Sequence, residues 1–534
     1  MSRWQKPKNS HYQGLAGLLV LIIIICAFIV FSYTLETTDV TLTQPPAEIL
    51  VFDFLRFTYS WQAPPLFAVI AAISVGLIVV VAFVGLELRD ENISRRSHDT
   101  VRKKLSPWVL MKSTEGVFHG EVTLTVLIPA HNEEKLIEAT INSLIEQNRK
   151  PDRIIVVADN CTDGTVKVAK RMGVEVFKSV KNLNKKAGAL NQMLTVLLPK
   201  LGENDTVMIM DADTVLRQGF LKSAVKHFED DRGLSAIGGL FYGEHRPGFL
   251  AQIQKNEYTR YSREINRRRG RVFVLTGTAS IFRARALRTV ANERGKLLPG
   301  TPGQVYDTHA LTEDNELTLA LKSLGALMMS PSECMVETEL MPNVSSLWKQ
   351  RLRWERGAME NIATYGITST TVRYWSQQLG LAYSVFALWT YFLLIFLQLV
   401  STDIWIWYPF WIIMGIIFIA EKVWTVRKSD WKAKLLASTL VVELLYDTFL
   451  GIIFVKGTID MAFRRKSHWG NEEKIKRTNT IKHRVVKYFL TGHLAAKHKT
   501  KRKHHLVKHP TAKRKAKKKK LQTTHPTAKH KAKK

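Results

Sequence analysis

The sequence predicts an α/β domain with a mixed, mostly parallel sheet and helices on both faces, inserted between N- and C-terminal transmembrane helices. Three observations lead to this prediction. Short apolar runs alternate with helix-like stretches from residue 121 to 375, two uncharged apolar runs precede that region, and three apolar blocks follow it. Strands that alternate with helices form parallel sheets covered on both faces, and about 20 apolar residues cross a bilayer as a helix.

The first 120 residues are predicted to contain two membrane spans. Basic residues flank the pair of spans and acidic residues fill the loop between them, so the positive-inside rule places both flanks in the cytoplasm. The first apolar run is long for a signal peptide and no small-residue cleavage site follows it, so we expect an anchor. The predicted segments are a cytoplasmic N-terminus (1–13), a span (14–33), an extracytoplasmic loop (34–63), a span (64–85) and a cytoplasmic linker (86–120).

The region 121–375 contains three apolar runs that each end at a polar residue. The runs are TLTVLIPA, RIIVVAD and TVMIMDAD, and amphipathic segments at 133–148 and 165–172 lie between them. Ligands of open α/β sheets bind beyond the carboxyl ends of the strands. Asp159, Asp211 and Asp213 fall at such ends, so we expect them to border a binding site.

The region 376–463 is predicted to form two or three transmembrane or interfacial helices. Its last apolar block carries Glu443 and Asp447 on one helical face. Such residues must face protein or water rather than lipid. Three spans would place the end of the chain outside, whereas two spans and an interfacial helix would keep it in the cytoplasm, and the sequence fits both arrangements.

The segment 464–534 is a basic tail that we expect to be disordered. Residues 474–534 hold 23 Lys and Arg and no Asp or Glu, so the net charge of +32 leaves only +9 (32 − 23) for the rest of the chain. A composition of this kind cannot bury a core. Clustered lysines bind polyanions without reading sequence, which argues against specific nucleic-acid binding.

Two motifs contain groups that suit a nucleotide diphosphate. Asp159, in VVADNCTDGT, has a carboxylate that can accept hydrogen bonds from a base or a ribose, although the same residues suit an ordinary turn. Lys186 opens a helix of small residues, where it can hold a diphosphate with help from the helix N-terminus. A solvated basic turn is the alternative.

Three carboxylates are candidates for metal binding and proton transfer. Asp211 and Asp213 lie two residues apart after a strand, where they can share a hard cation that prefers oxygen ligands. An exposed acidic turn would have the same sequence. Asp314, in Thr-Glu-Asp, can act as a general base toward an acceptor hydroxyl, or it can simply stabilise the first turn of the following helix.

Gln350, Arg353 and Trp354 form the pattern Gln-Arg-Leu-Arg-Trp just before the C-terminal apolar blocks. An Arg guanidinium can hold a diphosphate through two parallel hydrogen bonds, and a Trp ring offers an apolar face on which a sugar can stack. An amphipathic interfacial helix with a Trp anchor is an equal alternative.

These five signals in this order resemble the processive, inverting glycosyltransferases of family 2, which include bacterial cellulose synthase, hyaluronan synthase and poly-N-acetylglucosamine synthase. The resemblance covers about residues 120–375 and the arrangement of apolar segments on both sides. It implies a GT-A fold, a cytoplasmic site, a UDP-sugar donor and Mg²⁺ or Mn²⁺ as cofactor.

The resemblance also implies a role for each motif residue. Asp314 would be the catalytic base. The implied donor-binding residues are Asp159, Lys186, Asp211 and Arg353, and the implied metal ligands are Asp211 and Asp213. The implied acceptor-binding residues are Gly277 and Thr278, with Ala279 beside them in TGTASIFR, together with Gln350 and Trp354.

Three positions depart from the family pattern. Ala158 stands where the uridine motif often has a first Asp, and Lys185 stands where a Gly usually precedes the motif lysine. Thr-Glu-Asp replaces the Gly-Asp-Asp type of the hyaluronan synthases, which favours enzymes similar to the cellulose or poly-N-acetylglucosamine synthases. The implied function is to polymerise UDP-GlcNAc or UDP-glucose into a β-linked polysaccharide at the plasma membrane, with a multi-pass chain.

Two alternatives to this function remain open at the level of sequence. A non-processive transferase would add a single sugar to a lipid acceptor, and a membrane-tethered protein would bind polyanions through the basic tail. The expected partners are the UDP-sugar donor, a growing glycan or lipid acceptor, membrane lipids and, where one exists, an accessory membrane subunit. The sequence names neither the sugar nor the linkage.

Overall fold

The computed structural model describes residues 47–51, 55–60, parts of 65–85, residue 465, and residues 121–463 apart from 232, 269 and 402–404. The predicted span at 14–33, the linker at 86–120 and the tail beyond residue 465 lie outside the described residues. The described part contains a central α/β region and a set of helices that follows it.

The elements up to the middle of the α/β region are, in chain order, β1 (Ala47–Val51), β2 (Leu55–Tyr59), β3 (Leu124–Ala130), α1 (Ile137–Ile145), β4 (Arg153–Ala158), α2 (Thr165–Arg171), β5 (Glu175–Lys178), α3 (Lys185–Leu197), a 3-10 turn (Leu198–Lys200), β6 (Thr206–Met210), β7 (Thr214–Leu216) and α4 (Phe220–Asp230). The predicted helix at 165–172 agrees with α2, whereas the one at 133–148 is shorter, since α1 covers only its middle.

The remaining elements are β8 (Leu234–Gly238), β9 (Leu240–Gly243), α5 (Phe249–Arg267), β10 (Ala279–Arg283), α6 (Ala284–Glu293), α7 (Glu313–Ser323), β11 (Leu327–Met329), β12 (Met335–Thr338), α8 (Val344–Tyr365), α9 (Val372–Ser401), β13 (Ile406–Trp407), α10 (Pro409–Thr425), α11 (Trp431–Ser438) and α12 (Leu440–Ala462).

A seven-stranded sheet in the order β11-β8-β10-β6-β3-β4-β5 forms the centre of the α/β region. The strands β6, β3, β4 and β5 are mutually parallel, and β11 runs parallel to β8. The strand β10 runs antiparallel to both of its neighbours, β6 and β8. The prediction of a mixed, mostly parallel sheet is therefore confirmed.

Helices cover both faces of this sheet, as predicted. One buried apolar cluster joins the sheet to α3, α6 and α7, and a second joins it to α1, α2 and α4. Every residue of β3 and β6 is buried, which explains why these strands are nearly continuous apolar runs rather than alternating ones. The polar residues therefore lie beyond the carboxyl ends of these strands, at one edge of the sheet.

A buried ion pair fixes α7 against its surroundings. Arg294, after α6, donates to the Glu316 carboxylate at 2.7 Å, and both side chains are almost fully buried. Tyr365, at the end of α8, donates its hydroxyl to the same carboxylate at 2.6 Å. Arg294 also donates to the carbonyls of Pro299 and Val305, at 2.8 and 2.6 Å. The pair thus links α7 and α8 to the loop that precedes α7.

Among the described residues, one helix, Val372–Val400, is long and apolar enough to cross a membrane. The helices α11 and α12 meet the same test only as a pair, bent by 80° at the break between them. The Glu443 carboxylate of α12 is buried and accepts two hydrogen bonds from Arg260 of α5, at 2.7 and 2.6 Å. Of the predicted alternatives, protein or water, Glu443 thus faces protein, and the half-exposed Asp447 carboxylate lies 3.8 Å from Lys422 Nζ.

A small three-stranded sheet in the order β1-β2-β13 lies apart from the central sheet. The strands β1 and β2 are antiparallel, and β13 runs parallel to β2. The backbone N–H of Ser60 donates to the Trp407 carbonyl at 2.9 Å. The predicted loop 34–63 is therefore bonded to the link between α9 and α10.

The buried pair predicts a large stability loss in Glu316→Gln. The variant keeps the side-chain shape but leaves the Arg294 cation buried without its carboxylate, which costs about 3–5 kcal/mol. Thermal and denaturant unfolding of the detergent-solubilised protein measure this loss. The matched control is Glu203→Gln, because Glu203 pairs with Arg285 and Arg288 at a half-exposed position where a pair contributes about 1 kcal/mol or less. Equal losses in the two variants would contradict the prediction.

Candidate active site

The ammonium of Lys186 lies between two carboxylates at the carboxyl-end edge of the sheet. Its Nζ is 2.6 Å from Asp211 Oδ1 and 2.7 Å from Glu313 Oε1. Burial disfavours the charged lysine, but the attraction of Asp211 and Glu313 outweighs it and raises the pKa of Lys186 well above its usual value. The lysine is therefore a permanent cation that joins the start of α3, the end of β6 and the start of α7.

The carboxylate of Asp314 lies beside this cation and is held by backbone donors. Its Oδ2 accepts from the Gly277 N–H at 3.0 Å, and its Oδ1 accepts from the Asn315 N–H at 2.8 Å. Burial and the neighbouring Glu313 carboxylate raise the pKa of Asp314 to about 6, against the opposing effect of Lys186. The group is ionised at neutral pH but more basic than an ordinary Asp, which suits a general base.

Gly277 brings the segment before β10 into close contact with these charges. A Cβ at this position would lie 3.3 Å from Asp314 Oδ2, 3.3 Å from Lys186 Nζ and 3.6 Å from Asp211 Oδ2. The next residue, Thr278, accepts a hydrogen bond from the Asp211 N–H at 3.1 Å through its carbonyl, and Ala279 begins β10. The structure therefore brings the predicted acceptor segment together with the predicted base and diphosphate residues.

Asp211 and Asp213 form an acidic pair after β6. Burial and the nearby Asp211 raise the pKa of Asp213 to about 6, and Thr214 donates its hydroxyl to Asp213 at 3.2 Å. No group of three or more His, Cys, Asp or Glu that could hold a metal ion occurs in the part of the chain that the structure describes. Two carboxylates fit Mg²⁺ or Mn²⁺ when substrate phosphates and water supply the other oxygen ligands.

Asp159 ends β4, two strands from Asp211 in the sheet, and is buried. One oxygen, Oδ1, accepts from Ser179 at 2.7 Å, Asn182 at 2.8 Å and Asn160 at 3.1 Å. The Asn182 amide also donates to the Lys185 carbonyl at 2.6 Å. Asn182 thus connects Asp159, which is predicted to bind uridine, to the turn that presents Lys186.

The helix α8 carries Gln350, Arg353 and Trp354 and packs against Thr312, two residues before Asp314. Gly357 allows the close packing, because a Cβ there would lie 2.5 Å from Thr312 Oγ1. The positive charge of Arg353 is among the effects that lower the pKa of Glu313, although burial opposes them and Lys186 contributes most. Arg353 is thus near the Lys186 cluster, whereas Gln350 and Trp354 contact the neighbouring Arg351.

Thr312 lies at the N-cap position of α7, but its side chain makes no capping hydrogen bond. Asn361 of α8 instead donates to the Thr312 carbonyl and hydroxyl, both at 3.1 Å. The polar contacts of Thr312 therefore hold α8 against the start of α7.

Sequence analysis missed three residues that the structure places near this site. Glu313 was visible in Thr-Glu-Asp but received no role, although it pairs with Lys186. Tyr306 is buried and lines a pocket with Lys186, Glu313 and Asp314. Burial and nearby carboxylates, first among them Asp213, raise the pKa of Glu133 to about 7. The only sequence signal for Glu133 was its position in VLIPAHNEE, directly after a strand.

The geometry can be compared with known proteins. Residues 125–291 match the family model described as glycosyl transferase family 2. A poly-β-1,6-N-acetyl-D-glucosamine synthase of Staphylococcus aureus (strain COL) is 26% identical over 281 residues, which cover 51% of this chain and 64% of that protein. The enzyme of the same name from Staphylococcus epidermidis is 24% identical over 264 residues, covering 48% of this chain and 59% of that protein.

This chain carries a family 2 glycosyltransferase domain. The predicted family and the enzyme class are confirmed at the level of this domain, and its mixed sheet is GT-A-like. The chain spans less than two thirds of the length of either synthase, at 64% and 59%. The family match ends before Asp314 and α8, and the roles of all the predicted site residues, inside and outside the match, remain predictions.

A solved mannosyltransferase from Pyrobaculum calidifontis, in complex with GDP-mannose and Mn²⁺, aligns with 73% of this chain and 98% of its own. The identity is 17% and the TM-score is 0.43. This likeness is too distant to transfer a substrate or a residue role to the family 2 domain.

The backbone at Lys185 predicts a stabilising substitution. Lys185 has a φ of 54°, in the left-handed region, at the position where family 2 enzymes usually have Gly. Lys185→Gly removes this strain, and we expect a gain of about 0.5–1 kcal/mol in unfolding free energy after the entropy cost of Gly. Denaturant unfolding measures the change.

The control is Lys167→Gly, because Lys167 is exposed on α2 and has helical geometry. Glycine in a helix is unfavourable by about 1 kcal/mol, so the two variants should shift stability in opposite directions. A loss of stability in Lys185→Gly would show that contacts of the lysine side chain outweigh the backbone strain.

Proposed function

We propose that this protein is a membrane-embedded, inverting glycosyltransferase that polymerises UDP-N-acetylglucosamine into a β-linked polysaccharide. The observation that carries the proposal is the cluster of Lys186, Asp211, Gly277 and Asp314, since it places a lysine ammonium beside a carboxylate with a raised pKa. The names of the staphylococcal relatives support N-acetylglucosamine over glucose as the sugar.

The donor would lie along the carboxyl-end edge of the sheet. The Asp159 carboxylate would accept hydrogen bonds from the uridine, and Lys186 and Arg353 would face the diphosphate. Asp211 and Glu313 hold Lys186 in position. Preorganised charge of this kind stabilises the leaving diphosphate without reorganisation during the reaction.

Asp211 and Asp213 would hold Mg²⁺ or Mn²⁺, with Asp213 as the more direct ligand. When bound, the ion neutralises charge on the diphosphate oxygens. Asp211 keeps its contact with Lys186 on one oxygen, Oδ1, and Thr214 donates to Asp213 Oδ1. These contacts engage one oxygen of each carboxylate and leave Oδ2 of each group as the oxygen that would bind the ion.

Asp314 would take the proton from the acceptor hydroxyl. The acceptor oxygen then bonds to the anomeric carbon as the bond from that carbon to the diphosphate breaks, and UDP leaves with the bonding electrons. Attack from the face opposite UDP converts an α-linked donor into a β-glycoside. The N–H of Gly277 and the N–H of Asn315 hold the carboxylate in place for this step, and Trp354 and Gln350 would bind the end of the growing chain.

We also propose that α9 and α10 cross the membrane and that α11 and α12 lie at its cytoplasmic face. The pairing of β13 with β2 supports this arrangement, because it connects the α9–α10 link to the predicted extracytoplasmic loop. The bonding of Glu443 to Arg260 supports it as well, because it holds α12 against the catalytic region. Two crossings would leave the basic tail on the cytoplasmic side, as the positive-inside rule expects.

Asp314→Asn is expected to abolish sugar transfer and leave UDP affinity within about twofold of wild type. An amide cannot accept the proton, and loss of a general base typically costs about 10²–10⁴ in rate. The assay uses purified protein in liposomes with Mg²⁺ or Mn²⁺, radiolabelled UDP-GlcNAc or UDP-glucose, and product sizing on a gel.

The matched control is Asp230→Asn, an exposed carboxylate at the end of α4, which should transfer sugar at the wild-type rate. Turnover similar to wild type in Asp314→Asn would overturn the assignment of the base. A single sugar attached to lipid, rather than a long polymer, would favour the non-processive alternative, and polymer from UDP-glucose alone would change the assigned sugar.

The pKa of Asp314 predicts the acid limit of activity. Because its value is about 6, a growing fraction is protonated below that pH and cannot act as a base, so kcat/KM should rise with pH and reach a plateau above about pH 7. Asp213 also has a pKa of about 6, so UDP binding is measured with metal over the same range. A rate that falls only in proportion to UDP binding would contradict the assignment to Asp314.

A further inference from the structure

Arg351 contacts two of the residues predicted to bind the acceptor. Its guanidinium carbon lies 4.3 Å from the centre of the Trp354 ring, and its Nη1 donates to the side-chain carbonyl of Gln350 at 2.6 Å. The side chain is only 4% exposed, so these contacts are shielded from water. A buried guanidinium over a Trp face is a strong cation–π arrangement.

Residues on two other helices hold the guanidinium in this position. Glu257 of α5 accepts from Arg351 Nη2 at 2.7 Å, and the hydroxyl of Tyr446 on α12 donates to the same Glu257 oxygen at 2.7 Å. The Tyr258 ring lies 5.6 Å from the guanidinium carbon. The orientation of Arg351 on α8 therefore depends on the docking of both α5 and α12.

This network is separate from an ion pair that joins α5 to α12. Arg260 and Glu443 also join α5 to α12 through two short hydrogen bonds. Neither of these residues has a contact with Gln350 or Trp354 among the hydrogen bonds and ring contacts of the described chain. The chain thus offers one α5–α12 contact that reaches the Gln-Arg-Leu-Arg-Trp motif and one that does not.

We propose that Arg351 is a positioning residue, which orients Trp354 and Gln350 for the acceptor and is itself set by Glu257 and by Tyr446 of α12. The proposal rests on the proposed function for the role of the acceptor site. It makes the bond from Tyr446 of α12 to Glu257 a condition for acceptor binding, whereas donor binding at Lys186 and Asp211 is independent of that bond.

The test combines a spectroscopic and a kinetic measurement on the full-length protein. Trp354 is labelled together with the other tryptophans as 5-fluorotryptophan, and its ¹⁹F resonance in detergent is identified by its loss in Trp354→Phe. Arg351→Lys keeps the positive charge but loses the planar guanidinium group. Tyr446→Phe removes the hydroxyl that donates to Glu257. Both variants should move or broaden the Trp354 resonance.

The kinetic measurement uses UDP-GlcNAc as donor and a soluble β-1,6-linked GlcNAc oligomer as acceptor. In Arg351→Lys we expect the acceptor KM to rise about tenfold, the scale of one cation–π contact and one charged hydrogen bond. The UDP affinity should stay within about twofold of wild type, since the donor residues are untouched. Tyr446→Phe should show the same pattern with a smaller change.

Glu443→Gln is the matched control, because it weakens the α5–α12 contact without touching Arg351. It should lower stability but leave the Trp354 resonance and the acceptor KM at their wild-type values. The proposal is overturned if Arg351→Lys leaves the resonance and the acceptor KM unchanged, or if Glu443→Gln shifts both as strongly. If the wild-type protein transfers no GlcNAc, the proposed function fails, and the ¹⁹F comparison still decides whether Arg351 and Tyr446 set Trp354.

Discussion

The site depends first on the ion pairs of Lys186 with Asp211 and Glu313. A partly buried ammonium is stabilised by surrounding carboxylates, and three segments that are distant in sequence meet at this point: the start of α3, the end of β6 and the start of α7. The backbone at Gly277 packs against the same charges, because glycine has no side chain. The lysine therefore organises the position of the base as well as the region that would receive the diphosphate.

The adjacent carboxyl groups of Glu313 and Asp314 have pKa shifts in opposite directions, although both lie near the Lys186 cation. Glu313 bonds to Lys186, and this attraction, acting against burial, lowers its pKa. Burial and the repulsion from Glu313 raise the pKa of Asp314 to about 6, because the opposing attraction of Lys186 is smaller. Glu313 is thus the counter-ion of Lys186, whereas Asp314, adjacent on the same helical turn, is the proton acceptor of the proposed mechanism.

The sequence predicted the parts of this arrangement that depend on local pattern. Buried strands ending at Asp159 and Asp211 followed from apolar runs, and the mostly parallel sheet followed from their alternation with helices. The antiparallel insertion of β10 between β6 and β8 had no local signal, because strand direction is set by the path of the chain. The role of Glu313 was also hidden, since pairing with Lys186 depends on a contact over more than a hundred residues.

The helix α8 connects this catalytic region to the helices that follow. Gly357 and Asn361 hold α8 against Thr312 at the start of α7, while Tyr365 bonds to the buried Glu316. On its other side, α8 presents Arg351 to residues of α5 and α12. Because the same rigid helix contacts both the base-bearing turn and the C-terminal helices, a displacement of α12 would reach Trp354 before it reached Lys186. In the proposed mechanism, the acceptor side of the site is therefore the part that the C-terminal helices can influence.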